Sequence, residues 1–362
     1  MTLASTDILP PPGERGLRSW LRRKFFSTPL SALITVVFGA LVVWIAWRVV
    51  DWAFVRAIWS LADRAACGHG AGACWAVIEA RGRLVLFGLY PYEEHWRSAL
   101  ACLAIIVTMV LSCLPWFWHM TRLPLLWVAG FAVFIALMYG GFLGLSVVTT
   151  EQWGGLALTV FIFCSVALIG MPLGTFLALA RRSEMAVIRR LAAVTIDVVR
   201  SLPLLAILFA AAVVMPLAVP DWAQGDKLAR VIVAFGLFFA CYEAEIIRAG
   251  MQATPAGQEE AAVALGMKYW PRMFTVLLPQ AFRNSLPATI NQFVITFKET
   301  SIVTIIGFFE VMASGNAATG TGDWTGQYLE VYVFVALIYF VFVFGLSRYG
   351  ASLERRARAV RH

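Results

Sequence analysis

The hydrophobic positions of this chain fall into long runs, not into the short alternation of strands or the one-sided stripes of soluble helices. Stretches such as 30–50 and 131–148 are almost free of charge and reach or exceed the roughly 18 residues that a bilayer-crossing segment needs. In hydrocarbon every backbone amide must find its partner within its own element, so runs of this length predict helices. The dyad alternation of a membrane barrel is absent. Read against their breakers, the runs place helices near 30–54, 97–117, 123–147, 155–180, 193–219, 228–250, 281–308 and 327–347. The fold expected is an all-α polytopic membrane protein of about eight transmembrane helices. Pro172 and Pro203 fall within or near these runs and predict kinks.

Composition strengthens this picture. Of 362 residues, 60% are hydrophobic and 14% charged, where a soluble domain carries about a quarter charged residues. The net charge of +8 does not point to nucleic acid, because the basic residues cluster at the ends of apolar runs, as the positive-inside rule describes. Arg15, Arg18, Arg22, Arg23 and Lys24 precede the first run; Arg181, Arg182, Arg189 and Arg190 lie between the fourth and fifth; Arg348, Arg355, Arg356, Arg358 and Arg361 follow the last. With eight spans these clusters share one face, which makes both termini cytoplasmic, while 148–154 and 309–326 contain no lysine or arginine and belong outside. Loop 55–96 is mixed in charge; the topology puts it outside and 251–280 inside. The first apolar run is too long for the core of a cleavable signal, so it is expected to remain as an anchor.

Candidate chemistry is sparse. Cys102, Cys113, Cys164 and Cys241 lie in apolar runs and read as small hydrophobes. Cys67 and Cys74 flank a glycine-rich stretch of a polar loop and are either a disulfide or two free thiols. His69, His95, His119 and His362 are scattered and show no metal-ligand spacing. Loop 309–326, with Gly315, Gly320, Gly322 and Gly326, is expected to be irregular. No GxxxxGK phosphate loop occurs, so the chain is not expected to hydrolyse ATP or to bind a cofactor.

The informative loop is 251–280. Thr254 suits a helix N-cap and Pro255 a first helical position, Ala261, Ala262 and Leu265 share one side, and Gly266 suits the left-handed turn that ends such a helix. The spacing Glu260-Ala261-Ala262, three residues, Gly266, nine residues, then Val276-Leu277-Leu278-Pro279 resembles the coupling loop (EAA motif) of ABC importer permeases, with valine where that family often has isoleucine. Ala244-Glu245-Ile246-Ile247-Arg248-Ala249-Gly250, Gly257-Gln258, Phe297-Lys298-Glu299-Thr300-Ser301 and Val199-Arg200-Ser201-Leu202-Pro203-Leu204 resemble the permeases of polar amino-acid importers, which more often have glycine at the position of Ser201. Cys74-Trp75 and the stretch 87–97 are similar to the long permease of general L-amino-acid importers.

The resemblance implies a five-helix permease core at 155–350 with coupling loop 251–280, preceded by a cytoplasmic segment 1–29 and extra helices at 30–154, and followed by a basic tail 351–362. It also implies a bacterial inner-membrane heterodimer with a second, homologous permease, two ABC ATPase subunits holding ATP and Mg, and a periplasmic amino-acid-binding protein. Alternating access would be driven through Glu260, Ala261, Ala262, Leu265, Gly266 and Pro279.

A charge at membrane depth defaults to a functional hypothesis. Lys298 and Glu299, followed by the hydroxyls of Thr300 and Ser301, are candidates for the substrate pathway or for structural ion pairing. Glu245 with Arg248, and Asp197 with Arg200, have the three-residue spacing of a pair on one helix face. Two other classes stay in view: an ion-gradient-driven secondary transporter, although no inverted repeat is detected, and an intramembrane enzyme, for which few deep ionisable residues exist.

Overall fold

The computed structural model describes residues 20–21, 24–67, 72–320, 322–324 and 326–359. Arg15, Arg18, Arg22, Arg23, His69, Arg361 and His362 lie outside the described residues. The chain divides into two compact units, Met1–Glu79 and Ala80–His362.

In the first unit, α1 (Pro29–Val50) starts where Thr28 Oγ1 accepts the Ser31 amide at 3.1 Å and Pro29 takes the first helical position. It leaves through a wide turn, Asp51–Val55. The loop beyond is closed by a disulfide between Cys67 and Cys74, a bridge between Ile58 and Cys74, and stacking of Trp59 on Trp75 at 5.9 Å.

The chain then continues through α2 (Ala76–Phe87), α3 (His95–Ser112), α4 (Arg122–Tyr139), α5 (Gly155–Arg181), α6 (Ala186–Ser201), α7 (Leu204–Phe209), α8 (Lys227–Gln252) and α9 (Ala256–Ala264). After these come α10 (Leu278–Glu299), a two-residue strand β1 (Phe309–Glu310), α11 (Val311–Thr319) and α12 (Tyr328–Ala359). Among the described residues five helices are long and apolar enough to cross a membrane, and the α6–α7 pair makes a sixth if it is one broken span. The more polar α8 and α10, with 26 and 22 residues, also have the length, so the expectation of about eight spans is compatible with the fold.

The second unit is built around α5 against α8. Their approach depends on Gly170 and Gly174, a Gly-xxx-Gly pair: a Cβ at Gly170 would lie 2.3 Å from the Phe239 ring, and one at Gly174 2.9 Å from Ala240 O. Helix α8 packs in turn on α10, and α10 on α12. The two helices α3 and α4 pack on one another, and α3 also on α5. Phe134 stacks on Phe161 at 4.6 Å within one continuous core.

Buried Arg97 ties the end of α4 to the loop beyond, donating to Leu137 O at 2.9 Å and Ser146 O at 3.1 Å. The Tyr90 hydroxyl donates to Met138 O at 3.0 Å, and burial pushes its phenol up to about 12, so it stays a donor at any physiological pH.

Several helix limits differ from those read in the sequence, each for a local reason. Helix α4 stops at Tyr139 instead of 147 because Gly140 and Gly141 take φ of 73° and 83°. The single helix expected at 193–219 starts at Ala186 and breaks by 104° at Leu202–Pro203, where the proline forces Leu202 into extended backbone. Beyond the break a wide turn, Ala210–Val214, frees carbonyls that Arg230 takes up, Nε to Ala211 O at 3.0 Å and Nη2 to Ala212 O at 3.2 Å.

The helix expected at 281–308 begins earlier, through Tyr269–Pro271 and the wide turn Arg272–Leu277, and gives way at Thr300 to a tight turn that Gly307 ends at φ 91°. The stretch 309–326 is not irregular throughout. Its β1 pairs with Gly154 and Gly155. Helix α11 is capped by the Glu310 carboxylate, which accepts the Ala313 amide at 2.9 Å. Nor is the basic tail from 351 a separate segment, since α12 runs on to Ala359.

Candidate functional site

The segment between α8 and α10 forms a short helix with defined ends. Thr254 is not its N-cap: the threonine is buried and its hydroxyl donates back to Gly250 O at 3.4 Å, while extended Pro255 occupies the cap position and α9 starts at Ala256. At the other end Gly266 sits at φ 73°. Its amide donates to Val263 O at 2.9 Å and the Met267 amide to Ala262 O at 3.1 Å, the paired bonds of a Schellman motif, which needs a left-handed residue at this point. The exit turn therefore has the geometry the sequence suggests.

The helix presents two faces. Ala262 is buried against the body of the protein, whereas Glu260, Ala261, Val263 and Gly266 are exposed and Leu265 is 82% exposed. Ala262 thus does not share a free face with Ala261 and Leu265. Pro279 is exposed in the first turn of α10.

Charged groups anchor α9 to the surrounding helices. Glu259 pairs with Arg182, directly after α5, at 3.0 Å and with Arg272, in the wide turn that leads to α10, at 3.7 Å. Asn284 of α10 donates to Gly250 O at 3.1 Å, close to the end of α8. Glu259 thus ties α9 to the end of α5 and to the turn before α10, while Asn284 ties α10 to α8. Glu259, Arg272 and Asn284 did not stand out in the sequence and Arg182 did so only within a basic cluster, because Arg182 and Glu259 lie 77 residues apart and no local spacing connects them.

A second charged cluster brackets the same end of the core. Arg248 donates bidentately to Glu245, with its shortest bond at 2.7 Å. Asp197 does not pair with Arg200: it pairs with Arg181 at 2.9 Å, and Arg200 turns to Glu245 at 3.8 Å and lies over the Tyr242 ring. Glu243 differs from Glu245 in being wholly buried, with Oε1 accepting from Thr289 at 2.6 Å.

The other candidate set lies at the opposite end of α10. Lys298 is exposed in its last turn, and Glu299 is half-buried with Oε2 lacking a hydrogen-bond partner among the described residues. The hydroxyls of Thr300 and Ser301 are satisfied locally, by Phe297 O at 2.7 Å and Lys298 O at 2.8 Å. Phe297 faces the core between Phe163 and Phe342, so its two charged neighbours are turned away from it. The structure keeps this cluster and the α9 cluster apart by the length of α10.

A sequence family described as the binding-protein-dependent transport system inner membrane component matches residues 170–359. The chain belongs to this family. As a permease of that kind it is a transport subunit and not an enzyme, and its family works with a separate ATPase and a substrate-binding protein.

Among known relatives, the permease is 40% identical over 347 residues to the inner membrane amino-acid ABC transporter permease protein YhdY of Escherichia coli (strain K12), covering 93% of this chain and 92% of that one. To the glutamate/glutamine/aspartate/asparagine transport system permease protein BztC of Rhodobacter capsulatus it is 32% identical, covering 96% of this chain and 95% of the other. The shorter glutamate/aspartate import permease protein GltK of Escherichia coli O157:H7 is 34% identical, but covers 56% of this chain and 91% of itself. With the family match beginning at 170, the region toward the N-terminus is the part shared with the long relatives. A crystal structure of an amino acid ABC transporter with histidines is similar at 34% identity and a TM-score of 0.49, covering 55% of this chain and 90% of that chain.

Proposed function

We infer that this permease moves polar L-amino acids inward across a bacterial inner membrane as one half of a heterodimeric ABC importer, with both termini and the 251–280 segment in the cytoplasm. Two ATPase subunits holding ATP and Mg would act on it from that side, and a periplasmic amino-acid-binding protein would deliver cargo from the other. The amino-acid assignment is supported by relatives named as amino-acid transport permeases, which match over 93% and 96% of this chain.

The observation that carries the motor part is α9: a capped helix whose outer face, with Glu260, Val263, Leu265 and Gly266, is exposed while Ala262 is buried and Glu259 is paired with Arg182, just after α5, and Arg272, in the turn that leads to α10. Exposed apolar side chains at a helix tip fit a groove on a partner. The two pairs of Glu259 give that partner's motion a path to the spans, and alternating access follows as a rigid displacement of helices. Lys298 and Glu299 remain the proposed contacts for a zwitterion, since they place opposite charges at one helix end.

Co-purification tests the motor assignment. The intact chain is expected to bring an ATPase subunit with it, and Glu260→Lys or Gly266→Asp to lose that subunit while the permease stays in the membrane. A single chain that transports amino acids in liposomes without ATP would establish the gradient-driven class instead. For cargo, Glu299→Gln and Lys298→Met are expected to lower uptake; unchanged uptake and unchanged substrate-stimulated ATPase in both would remove these residues from the pathway.

A further inference from the structure

Beside the α5–α6 turn lies a cavity of about 940 Å³ that transport of a polar solute does not use. Its walls are apolar, formed by Pro172, Phe176 and Leu179 of α5, Ile188 of α6 and Phe274. Its rim is polar, with Ser183, Glu184, Tyr269, Trp270 and Arg272. The volume is at the upper end of the roughly 300–1,000 Å³ of small-molecule sites, and with Phe176 and Phe274 exposed the space is an open apolar groove.

Its position narrows the occupant. The cavity follows the last two turns of a membrane-spanning helix and ends at the first charged residues beyond it. Tyr269 and Trp270, with ring centroids 5.1 Å apart, are side chains suited to the boundary between hydrocarbon and headgroups. Arg272 is the guanidinium at the rim. Arg272 has a buried Nε without a hydrogen-bond partner among the described residues, its nearest carboxylate oxygen, on Glu259, being 3.7 Å away. Arginine is the side chain that best matches a phosphate group. An apolar groove, an aromatic boundary and an arginine with an unsatisfied donor together fit one amphiphile.

We propose that this cavity binds the acyl chains of one anionic phospholipid of the cytoplasmic leaflet, with the lipid phosphate on Arg272. The assignment rests on the inward orientation of the 251–280 segment given above. The lipid would touch the end of α5, the first turn of α6 and the chain leaving α9. Arg272 would then divide its donors between the phosphate and Glu259, so occupancy sets how firmly α9 is held. The site is thereby a regulatory one for motor coupling and separate from the path of cargo.

The experiment uses the assembled importer in nanodiscs of phosphatidylcholine alone or of an equimolar mixture with phosphatidylglycerol, without substrate or ATP, and reads retained lipid by native mass spectrometry. The expected result is one retained phosphatidylglycerol per copy of this chain, a several-fold lower retention in Arg272→Gln, and loss of it in Thr175→Trp, which fills the cavity from the α5 wall. An aromatic photo-crosslinking residue in place of Phe176, an exposed part of the wall, is expected to capture lipid. Equal retention of phosphatidylcholine, unchanged retention in both variants, or capture of a protein segment at position 176 would each overturn the proposal. Because retention is read without transport, a wrong cargo assignment leaves this result untouched.

Discussion

Single residues decide how closely the helices of this permease approach. Gly170 and Gly174 leave no room for a Cβ against Phe239 and Ala240 O, so Gly174→Leu must displace α8 or strain it. Overpacking of this kind costs typically about 1–3 kcal/mol, and a lowered melting temperature in detergent, with Gly345→Leu as the control in open space, is the expected outcome. Gly88 and Gly155 meet at a second crossing: Gly155 has φ 59°, and a Cβ there would fall 2.1 Å from Leu86 O.

Glu310 is wholly buried, yet its carboxylate is used fully, by Thr304 at 2.7 Å, Tyr339 at 3.0 Å and the Ala313 amide. Glu310→Ala orphans these donors, each at about 1–3 kcal/mol. Hydrogen exchange of α11 is expected to accelerate strongly in that variant and only partly in Glu310→Gln, which keeps an acceptor. The Gly-xxx-Gly pair was open to recognition from spacing alone. The role of Glu310 was not, because Tyr339 and Thr159, which also reach its carboxylate, lie 29 and 151 residues away.

Among elements, α9, the proposed coupling helix, is where a weak interaction is expected to have a large functional effect. The Glu259–Arg182 pair is partly exposed, and such pairs contribute about 0.2–1 kcal/mol to stability. Glu259→Arg is therefore expected to leave the melting temperature and ATPase binding nearly unchanged, while transport per ATP hydrolysed falls several-fold. Adding Arg182→Glu restores the pair in reverse and is expected to recover much of the loss. If ATPase binding falls in step with transport, the residue supports assembly and not transmission.

The break between α6 and α7 is of a different kind. Pro203 removes one amide and bars its predecessor from helical backbone. Proline marked the place in the sequence, while the size of the bend, 104°, depends on what the two arms pack against.

For the molecule as a whole, sidedness and redox state each have a direct readout. With cytoplasmic termini, a fluorescent protein fused after α12 is expected to mature, and alkaline phosphatase placed in the first unit's loop near Trp59 to be active. The reverse pattern would invert every assignment of side made here. Under non-reducing conditions Cys67 and Cys74 are expected to resist alkylation until a reductant is added, consistent with their bond in the structure and with an oxidising outer compartment.

What the sequence determined by itself was the class of molecule, the approximate placing of its long helices and the coupling turn. Length and apolarity of a run, and the demand of Gly266 for a left-handed backbone, are local properties that a chain carries wherever it goes. Only the tertiary structure decided the rest: that Glu259 is joined to Arg182 and Arg272, that Asp197 pairs with Arg181 instead of Arg200, and that Glu310 holds a helix in a stretch the glycines marked as loop. It also placed Lys298 and Glu299 at the end of α10 and not deep within it. Charged and polar groups find partners by proximity in space, and in a bundle of long helices that proximity links positions scores of residues apart. The hydrophobic pattern, which reports how long a helix runs, has no information about which of its polar residues will meet.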